Sequence, residues 1–332
     1  MIEITTDEMH TGGEPVRIVT GGLPPIEGRT ILDKRRYTRD HLDRYRRLLM
    51  HEPRGHRDMY GAIPVTPDHP KADLAVLFIH NEGYSTMCGH AVIALARWAI
   101  ERGLVKAGTE RTAVAIQCPC GLVRTEVAME NGRPGAVSFE SVPAFASHLG
   151  KLVETRDWGP VTLDIGYGGA FYAVLAAGEI GLDIGTSPVA RLTDAGETIS
   201  RAATALPLRH PDEEDLGFLY GTILTDGTDG AGPDPSCNIC VFAGRQVDRS
   251  PTGSGVTARI ALAFARREIG LGEVRRFRSV TGAIFEGEAV RETRAGPHRA
   301  VVVRVAGRAH HSGTARFVVE PDDPLGDGFL LD

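Results

Sequence analysis

The residues best placed to do chemistry form the stretch Met87-Cys88-Gly89-His90, which opens an apolar run that continues to Ile100. A thiol just before a helix lies where unpaired backbone N–H groups and the positive end of the helix dipole converge. That environment favours the thiolate, which can act as a base or a nucleophile. A small buried cysteine without chemistry is the alternative interpretation. The adjacent Gly89 would let a ligand approach the backbone, and this favours an activated thiol.

A second chemical stretch, Asp248-Arg-Ser-Pro-Thr252-Gly-Ser-Gly255, precedes another apolar helical pattern. It lacks the Gly-Lys-Ser/Thr ending of a P-loop, the outer glycines of a nucleophile elbow and the Gly-x-Gly-x-x-Gly spacing. Thr252 is either an ordinary helix N-cap or a functional residue, and Asp248 either caps the turn or receives a substrate ammonium. Placing Cys88 over Thr252 also aligns Gly89 with Gly253, Val92 with Val256, Ala94 with Ala258, and Ala99 with Ala263. The alignment predicts an internal duplication.

Two helix N-termini that face one ligand would form an anion site, because their free N–H groups and dipoles can hold a carboxylate. For a bound amino acid, Cys88 and Thr252 would then flank the α-carbon. Removing an α-proton needs such an aligned base and a polarised carboxylate.

Composition and charge exclude several classes of protein. The 332 residues carry a net charge of −6 without a long basic cluster, so nucleic acid is not an expected partner. No apolar run reaches the roughly 20 residues that span a bilayer, and the first residues lack a signal-peptide pattern. A cytoplasmic protein of one large or two ordinary domains is therefore expected.

The cysteine pattern favours reduced thiols. The odd count of five, without a secretion signal, argues against a disulfide framework. Cys118, Cys120, Cys237 and Cys240 could in principle supply four zinc ligands. Cys240 runs directly into the strand-like pair Val241-Phe242, so buried cysteines are the favoured interpretation.

Hydrophobic patterning predicts the elements that would position these residues. Helices are expected over 31–50, from 91 to about 102, and over 256–267. Residues 9–17 and 52–58 are expected to be loops, and 143–158 a crossing between domains. Strands are predicted over 1–6, 72–79, 112–117, 122–129, 136–142, 161–165, 170–175, 221–224, 238–242, 283–291, 300–305 and 314–319.

The two chemical stretches resemble the active-site motifs of the proline racemase family. His10-Thr-Gly-Gly-Glu-Pro15, Glu52-Pro-Arg-Gly-His56 and Ser279-Val-Thr-Gly-Ala-Ile-Phe-Glu-Gly287 resemble the surrounding family pattern, so the resemblance covers essentially the whole chain. It implies an α/β (α+β) fold, similar to that of diaminopimelate epimerase. Two pseudo-symmetric halves, 1–145 with 312–332 and 150–311, would each wrap a β-barrel-like sheet around a central helix. The site would lie in the cleft between them, with no metal or organic cofactor.

The chain departs from the racemase pattern at one position. Racemases and epimerases of this family carry cysteine where this chain has Thr252, and a threonine hydroxyl is a poor acid–base group at neutral pH. The Cys88/Thr252 pair resembles the trans-3-hydroxy-L-proline dehydratase branch, in which Cys88 would be the base. The motif match further implies that Gly89, His90, Gly253 and Ser254 hold the carboxylate and ring of the substrate, and that Asp248 receives its ring nitrogen.

Two alternatives stay open on the sequence. One is a 4-hydroxyproline 2-epimerase or proline racemase in which another group replaces the second acid. The other is a binding protein that holds an imino acid without chemistry. The expected partners are a hydroxyproline or proline-like imino acid and, as an open option, a second copy of the chain in a homodimer.

Overall fold

The computed structural model describes residues 1–331 and is an α+β fold. Within those residues it has eighteen strands and five α-helices. The first nine strands are β1 (Ile2–Thr11), β2 (Glu14–Gly21), β3 (Tyr60–Val65), β4 (Leu74–His80), β5 (Gly83–Ser85), β6 (Arg111–Cys118), β7 (Gly121–Glu130), β8 (Arg133–Glu140) and β9 (Ala144–Thr155). The others are β10 (Gly159–Tyr167), β11 (Phe171–Ala176), β12 (Leu219–Thr225), β13 (Ser236–Phe242), β14 (Gln246–Asp248), β15 (Val274–Arg278), β16 (Ile284–Ala295), β17 (His298–Gly307) and β18 (Ala309–Val319). The helices are α1 (Ile31–His41), α2 (Asp43–Met50), α3 (Gly89–Glu101), α4 (Val189–Ala203) and α5 (Gly253–Arg266).

The chain forms two compact units. The first comprises Met1–Val137 and the chain from Arg308 onward, and the second comprises Ser138–Gly307. The domain boundaries expected from the sequence stay a prediction.

The first unit wraps a sheet around α3. Antiparallel and parallel pairs link its strands in the order β18, β1, β2, β3, β4, β6 and β7, with β5 paired to β4. Helix α3 contacts strands from both ends of this order, including β18, β1 and β7. Eleven of its residues are buried, because a helix that is apolar on all sides must be covered on all sides.

The second unit closes its sheet into a barrel. Its strands pair in the order β9, β10, β11, β12, β13, β15, β16 and β17, and β17 pairs again with β9. Helix α5 contacts β9, β10, β16 and β17. A Cβ atom at Gly166 would lie 2.9 Å from the carbonyl oxygen of Ala258, so a glycine there allows β10 to approach the helix closely.

The two units repeat one topology. In each unit, two strands connected through helices pair in parallel. In the first unit α1 and α2 connect β2 to β3, and in the second α4 connects β11 to β12. A second parallel pair then flanks the central helix, β4 with β6 around α3, and β13 with β15 around α5. Cys88 and Thr252 occupy the same position, the residue before the central helix. This repetition agrees with the predicted duplication, and the two pseudo-symmetric halves are confirmed.

Several sequence expectations were wrong. Residues 9–17 form no broad loop: β1 and β2 are joined by Gly12-Gly13 alone, both with positive φ (64° and 89°), as a two-residue hairpin turn requires. Most of the expected crossing at 143–158 is strand β9. Its exposed polar residues give no apolar strand pattern, although it pairs with β10. Helix α4 and strand β15 were not anticipated.

The principal helices and the buried strand β4 agree with the sequence patterns, although Leu42 divides the first helical region into α1 and α2. None of the helices within residues 1–331 combines the length and apolarity needed to span a bilayer.

Candidate active site

Cys88 lies at the N-terminus of α3, where strand β5 delivers the chain. Its backbone is extended (φ −147°, ψ 107°), and its carbonyl oxygen accepts the first helical hydrogen bond from Val92 N–H at 3.0 Å. Ala91 N–H donates to Sγ at 3.4 Å. The sulfur thus takes the place of an N-cap oxygen, and an N–H group that points at it favours a negative charge there.

His90 contacts the same sulfur. Its Nδ1 atom lies 3.1 Å from Cys88 Sγ, and both side chains are almost fully buried. The imidazole packs edge-on against Tyr60 at a centroid distance of 4.8 Å. The hydroxyl of Thr11, on β1, donates to the His90 carbonyl oxygen at 2.8 Å. The structure therefore places His90 against the thiol, where it can exchange a proton with sulfur. The substrate contact expected for His90 stays a prediction.

The remaining cysteines differ from Cys88 in their surroundings, although all five are free thiols. Burial raises the pKa of Cys118 well above its ordinary value, and it raises the pKa of Cys120 to about 12. Cys240 is fully buried in β13, as the sequence indicated. Among residues 1–331 no group of three or more His, Cys, Asp or Glu side chains has the arrangement of a metal site.

Thr252 precedes α5 but does not cap it with its side chain. Its backbone is left-handed (φ 64°, ψ 86°), a conformation that costs a β-branched residue free energy. Its Oγ1 atom is buried, and no group within residues 1–331 forms a hydrogen bond with it. Of the two alternatives for Thr252, the ordinary N-cap is therefore wrong, because the side chain forms no capping hydrogen bond. A strained residue with an unsatisfied hydroxyl is typical of a functional position.

Asp248 shapes the turn before Thr252. Its Oδ1 atom accepts a hydrogen bond from Ser250 N–H at 2.7 Å, and Ser250 Oγ accepts one from Thr252 N–H at 3.1 Å. The capping alternative for Asp248 is confirmed. The same carboxylate is buried beside the start of α5, so a substrate ammonium stays a compatible second partner.

Ser254, in the first turn of α5, is held by a residue that sequence reasoning missed. Its Oγ atom lies 2.7 Å from the hydroxyl of Tyr172, on β11, and both residues are buried. Burial raises the pKa of Tyr172 well above its ordinary value, so the phenol stays protonated. Gly168 permits this packing, because a Cβ atom there would lie 2.1 Å from the Ser254 carbonyl oxygen.

The first turn of α5 also presents backbone donors. Val256 N–H makes the first helical hydrogen bond, to the Thr252 carbonyl oxygen at 2.7 Å. The N–H groups of Gly253, Ser254 and Gly255 precede it and have no helical acceptor, so they can bind an anion.

The predicted site residues thus assemble into two local groups. Cys88, Gly89 and His90 lie together at the start of α3 in the first unit, and Asp248, Thr252, Gly253 and Ser254 lie together at the start of α5 in the second. Thr11 lies in the stretch His10–Pro15 that the family resemblance had already marked. Nothing in the sequence around Tyr172 pointed to its contact.

Comparison with known proteins identifies the family of the chain. The chain is 56% identical to the human trans-3-hydroxy-L-proline dehydratase over 330 residues, which cover 98% of this chain and 93% of that protein. It is 43% identical to a 3-hydroxyproline 2-epimerase from Burkholderia multivorans, with 99% and 98% of the two chains covered. A crystal structure of a hydroxyproline epimerase from Agrobacterium vitis with bound trans-4-hydroxy-L-proline superposes with a TM-score of 0.94 at 26% identity, covering 100% of this chain and 95% of that one. A family model for proline racemase matches residues 7–330. With the match extending over nearly all of its length, the chain belongs to the proline racemase family.

Proposed function

We propose that this protein dehydrates trans-3-hydroxy-L-proline to Δ1-pyrroline-2-carboxylate. The observation that carries the proposal is the unequal pair at equivalent helix starts, a thiol at Cys88 and a hydroxyl at Thr252. The identity of 56% to the human trans-3-hydroxy-L-proline dehydratase, over nearly the whole chain, supports the same reaction.

The stereochemistry of the substrate explains why one thiol suffices. In trans-3-hydroxy-L-proline the hydroxyl is trans to the carboxylate, so it shares a ring face with the α-hydrogen. In our mechanism the Cys88 thiolate takes the α-proton, and the electron pair of the broken C–H bond forms the C2–C3 double bond. The C3–O bond breaks as the new thiol gives its proton to the departing hydroxide. Water leaves, the thiolate is regenerated, and the enamine tautomerises to the imine.

The proposed binding roles come from the family resemblance, and the backbone donors at each helix start are compatible with them. Backbone N–H groups of Gly89, Gly253 and Ser254 would hold the carboxylate and lower the cost of negative charge at the α-carbon. Asp248 would receive the ring nitrogen. Thr252 would contact the substrate without transferring a proton, since its hydroxyl is a poor acid at neutral pH.

His90 would act mainly on Cys88. Its Nδ1 atom, 3.1 Å from the sulfur, can take the thiol proton before catalysis and stabilise the thiolate afterwards. The reaction as written needs no metal or organic cofactor. We further propose that the protein works in the cytoplasm, with a homodimer as an open option.

A product-trapping assay tests the function. The purified protein is incubated with trans-3-hydroxy-L-proline, and the pyrroline product is trapped with o-aminobenzaldehyde. We expect a coloured adduct with the natural chain and none with Cys88→Ala. Cys120→Ala is the matched control, since its thiol stays protonated at neutral pH, and it should retain activity. Full activity in Cys88→Ala, or no product from the natural chain, would refute the proposal.

Inversion at the α-carbon is the second candidate, favoured by the 43% identity to the 3-hydroxyproline 2-epimerase. Incubation with 4-hydroxyproline or proline in D₂O separates the two. Deuterium at the α-carbon together with a change of optical rotation would identify an epimerase or racemase. An absence of both, with pyrroline formed from the 3-hydroxy substrate, would leave the dehydratase. A protein that binds the imino acid and gives neither result would be the non-catalytic binder.

A further inference from the structure

The first unit contains a groove away from the start of α3. It has a volume of about 750 Å³, and we name it the Lys34 groove after its one lysine. Its walls are mainly apolar and include Leu23, Ile26, Val65, Trp98 and Leu104. A groove of this size falls in the range that binds small molecules.

Among residues 1–331, no side chain or carbonyl group pairs with the charged end of Lys34. The residue is only 7% exposed, although it is a lysine. Within residues 1–331 only its backbone forms hydrogen bonds. Its N–H donates to the Thr30 carbonyl oxygen at 3.0 Å, and its carbonyl oxygen accepts from Thr38 Oγ1 at 2.7 Å. Its Nζ atom is not sealed inside the protein, so solvent reaches it. Lys34 is one of the residues that line the groove, and from this we infer that the groove leads from solvent to its ammonium.

Two other buried cations of this unit form ion pairs with carboxylates. Arg17 binds Glu8 at 2.9 Å and a carbonyl oxygen of Arg54 at 2.7 Å. Arg46 binds Asp43 at 2.6 Å. The Lys34 ammonium has no such partner, so a bound anion would supply the counter-charge that these arginines already have.

The other charges that line the groove are already engaged. Arg102 forms an ion pair with Asp7, and Asp73 Oδ2 accepts a hydrogen bond from Ala115 N–H at 2.7 Å. Lys34 is therefore the cation of the groove that no carboxylate pairs with among residues 1–331.

We propose that the Lys34 groove binds an amphipathic small molecule with a single carboxylate. The carboxylate binds Lys34 Nζ, and the hydrocarbon part lies along Leu23, Ile26 and Trp98. Nothing in this proposal depends on the dehydratase reaction.

Tryptophan fluorescence provides the test, with octanoate as the probe. The chain has two tryptophans, and Trp158→Phe leaves only Trp98, which lines the groove. We expect octanoate, below the concentration at which it aggregates, to change the Trp98 emission saturably. Lys34→Met, which keeps the length and apolar stem, should weaken the binding at least tenfold, whereas Lys34→Arg should retain it. Octanol should bind equally to the natural protein and to Lys34→Met.

Two further measurements separate the proposal from a structural effect. Lys34→Met should unfold at the same or a higher temperature, because no ion pair is lost, and it should keep full dehydratase activity. Equal octanoate binding in Lys34→Met, a signal that rises without saturating, or tighter binding of octylammonium than of octanoate would overturn the proposal. A Trp98 signal that changes with the oligomeric state and not with the octanoate concentration would also overturn the proposal.

Discussion

The Sγ atom of Cys88 lies 3.1 Å from Nδ1 of His90, two residues further along the chain. Because His90 is in the first turn of α3 and its carbonyl is bound by Thr11, the imidazole is fixed beside the sulfur. The thiol thus has an N–H donor from the helix and an imidazole nitrogen within hydrogen-bond distance. We propose this pair as the chemical centre of the first unit.

The first prediction concerns thiol reactivity. At pH 7 iodoacetamide should modify Cys88 before the other cysteines, and peptide mass spectrometry would show the order. Burial raises the pKa of Cys120 to about 12 and that of Cys118 well above its ordinary value, so both should stay unreactive until the solution is strongly alkaline. In His90→Phe the alkylation of Cys88 should slow, and kcat/KM should fall about 100-fold. Labelling of Cys118 or Cys120 as fast as that of Cys88 would contradict this account.

The second prediction concerns the second ring face. Thr252→Cys places a thiol where racemases of this family carry one, so it should gain α-deuteration and inversion of proline or 4-hydroxyproline in D₂O. Thr252→Ser is the matched control and should gain neither. A Thr252→Cys variant that dehydrates its substrate but never inverts one would count against the idea that residues 88 and 252 act on opposite faces of the ring.

The third prediction isolates the Thr252 hydroxyl. Thr252→Val keeps the shape and the left-handed backbone but removes an oxygen that is buried without a partner, so the free energy of unfolding should rise by about 1 kcal/mol. Dehydration should continue, because this hydroxyl transfers no proton. Thr257→Val is the control: its Oγ1 atom donates to Gly253 O at 2.9 Å, so the same substitution should lower stability by about 1 kcal/mol. Denaturant melts of both variants measure the difference, and a destabilised Thr252→Val would show that the hydroxyl has a structural partner.

The fourth prediction concerns the bond between Tyr172 and Ser254. Tyr172→Phe should lower kcat/KM about tenfold with a small loss of stability, since the first turn of α5 loses the contact that positions Ser254. A double-mutant cycle with Ser254→Ala gives the coupling. We expect the double variant to be no worse than the poorer single variant. Additive losses in kcat/KM would mean that the two hydroxyls act independently.

The fifth prediction is a pH dependence of stability. Asp7 accepts hydrogen bonds from Trp98 at 2.6 Å and from Arg102 at 2.7 Å, which fix the last turns of α3 to β1. Burial alone would raise the pKa of Asp7, but these bonds outweigh it and hold the pKa below the ordinary 3.8. The stabilisation is therefore present above pH 3.8 and is lost as the pH falls through the folded-state pKa.

Asp7→Asn should remove that contribution. We expect a loss of about 1.5–3 kcal/mol at pH 7 and a smaller difference from the natural chain at pH 2–3. Thermal melts across this range provide the measurement. A difference that does not change with pH would show that the Asp7 charge is not responsible.

The sequence by itself determined the two central helices and the chemical candidates. Apolar residues on every face of the segments after Cys88 and Thr252 can be stable only as buried helices, and the small residues at both starts mark the duplication. The motifs identified the family, and the Cys88/Thr252 pair indicated which branch of it. These properties depend on residue type and local spacing, which are visible in the chain.

Tertiary structure decided what each candidate contacts. The left-handed backbone of Thr252 and its unpartnered hydroxyl depend on the packing around the turn, so an N-cap was the natural expectation from sequence. Tyr172 reaches Ser254 across 82 residues because β11 and α5 belong to one barrel. Lys34 lies in a helix rich in charged residues, yet it is buried beside a groove. Such contacts arise between segments far apart in sequence, where residue spacing carries no information about distance.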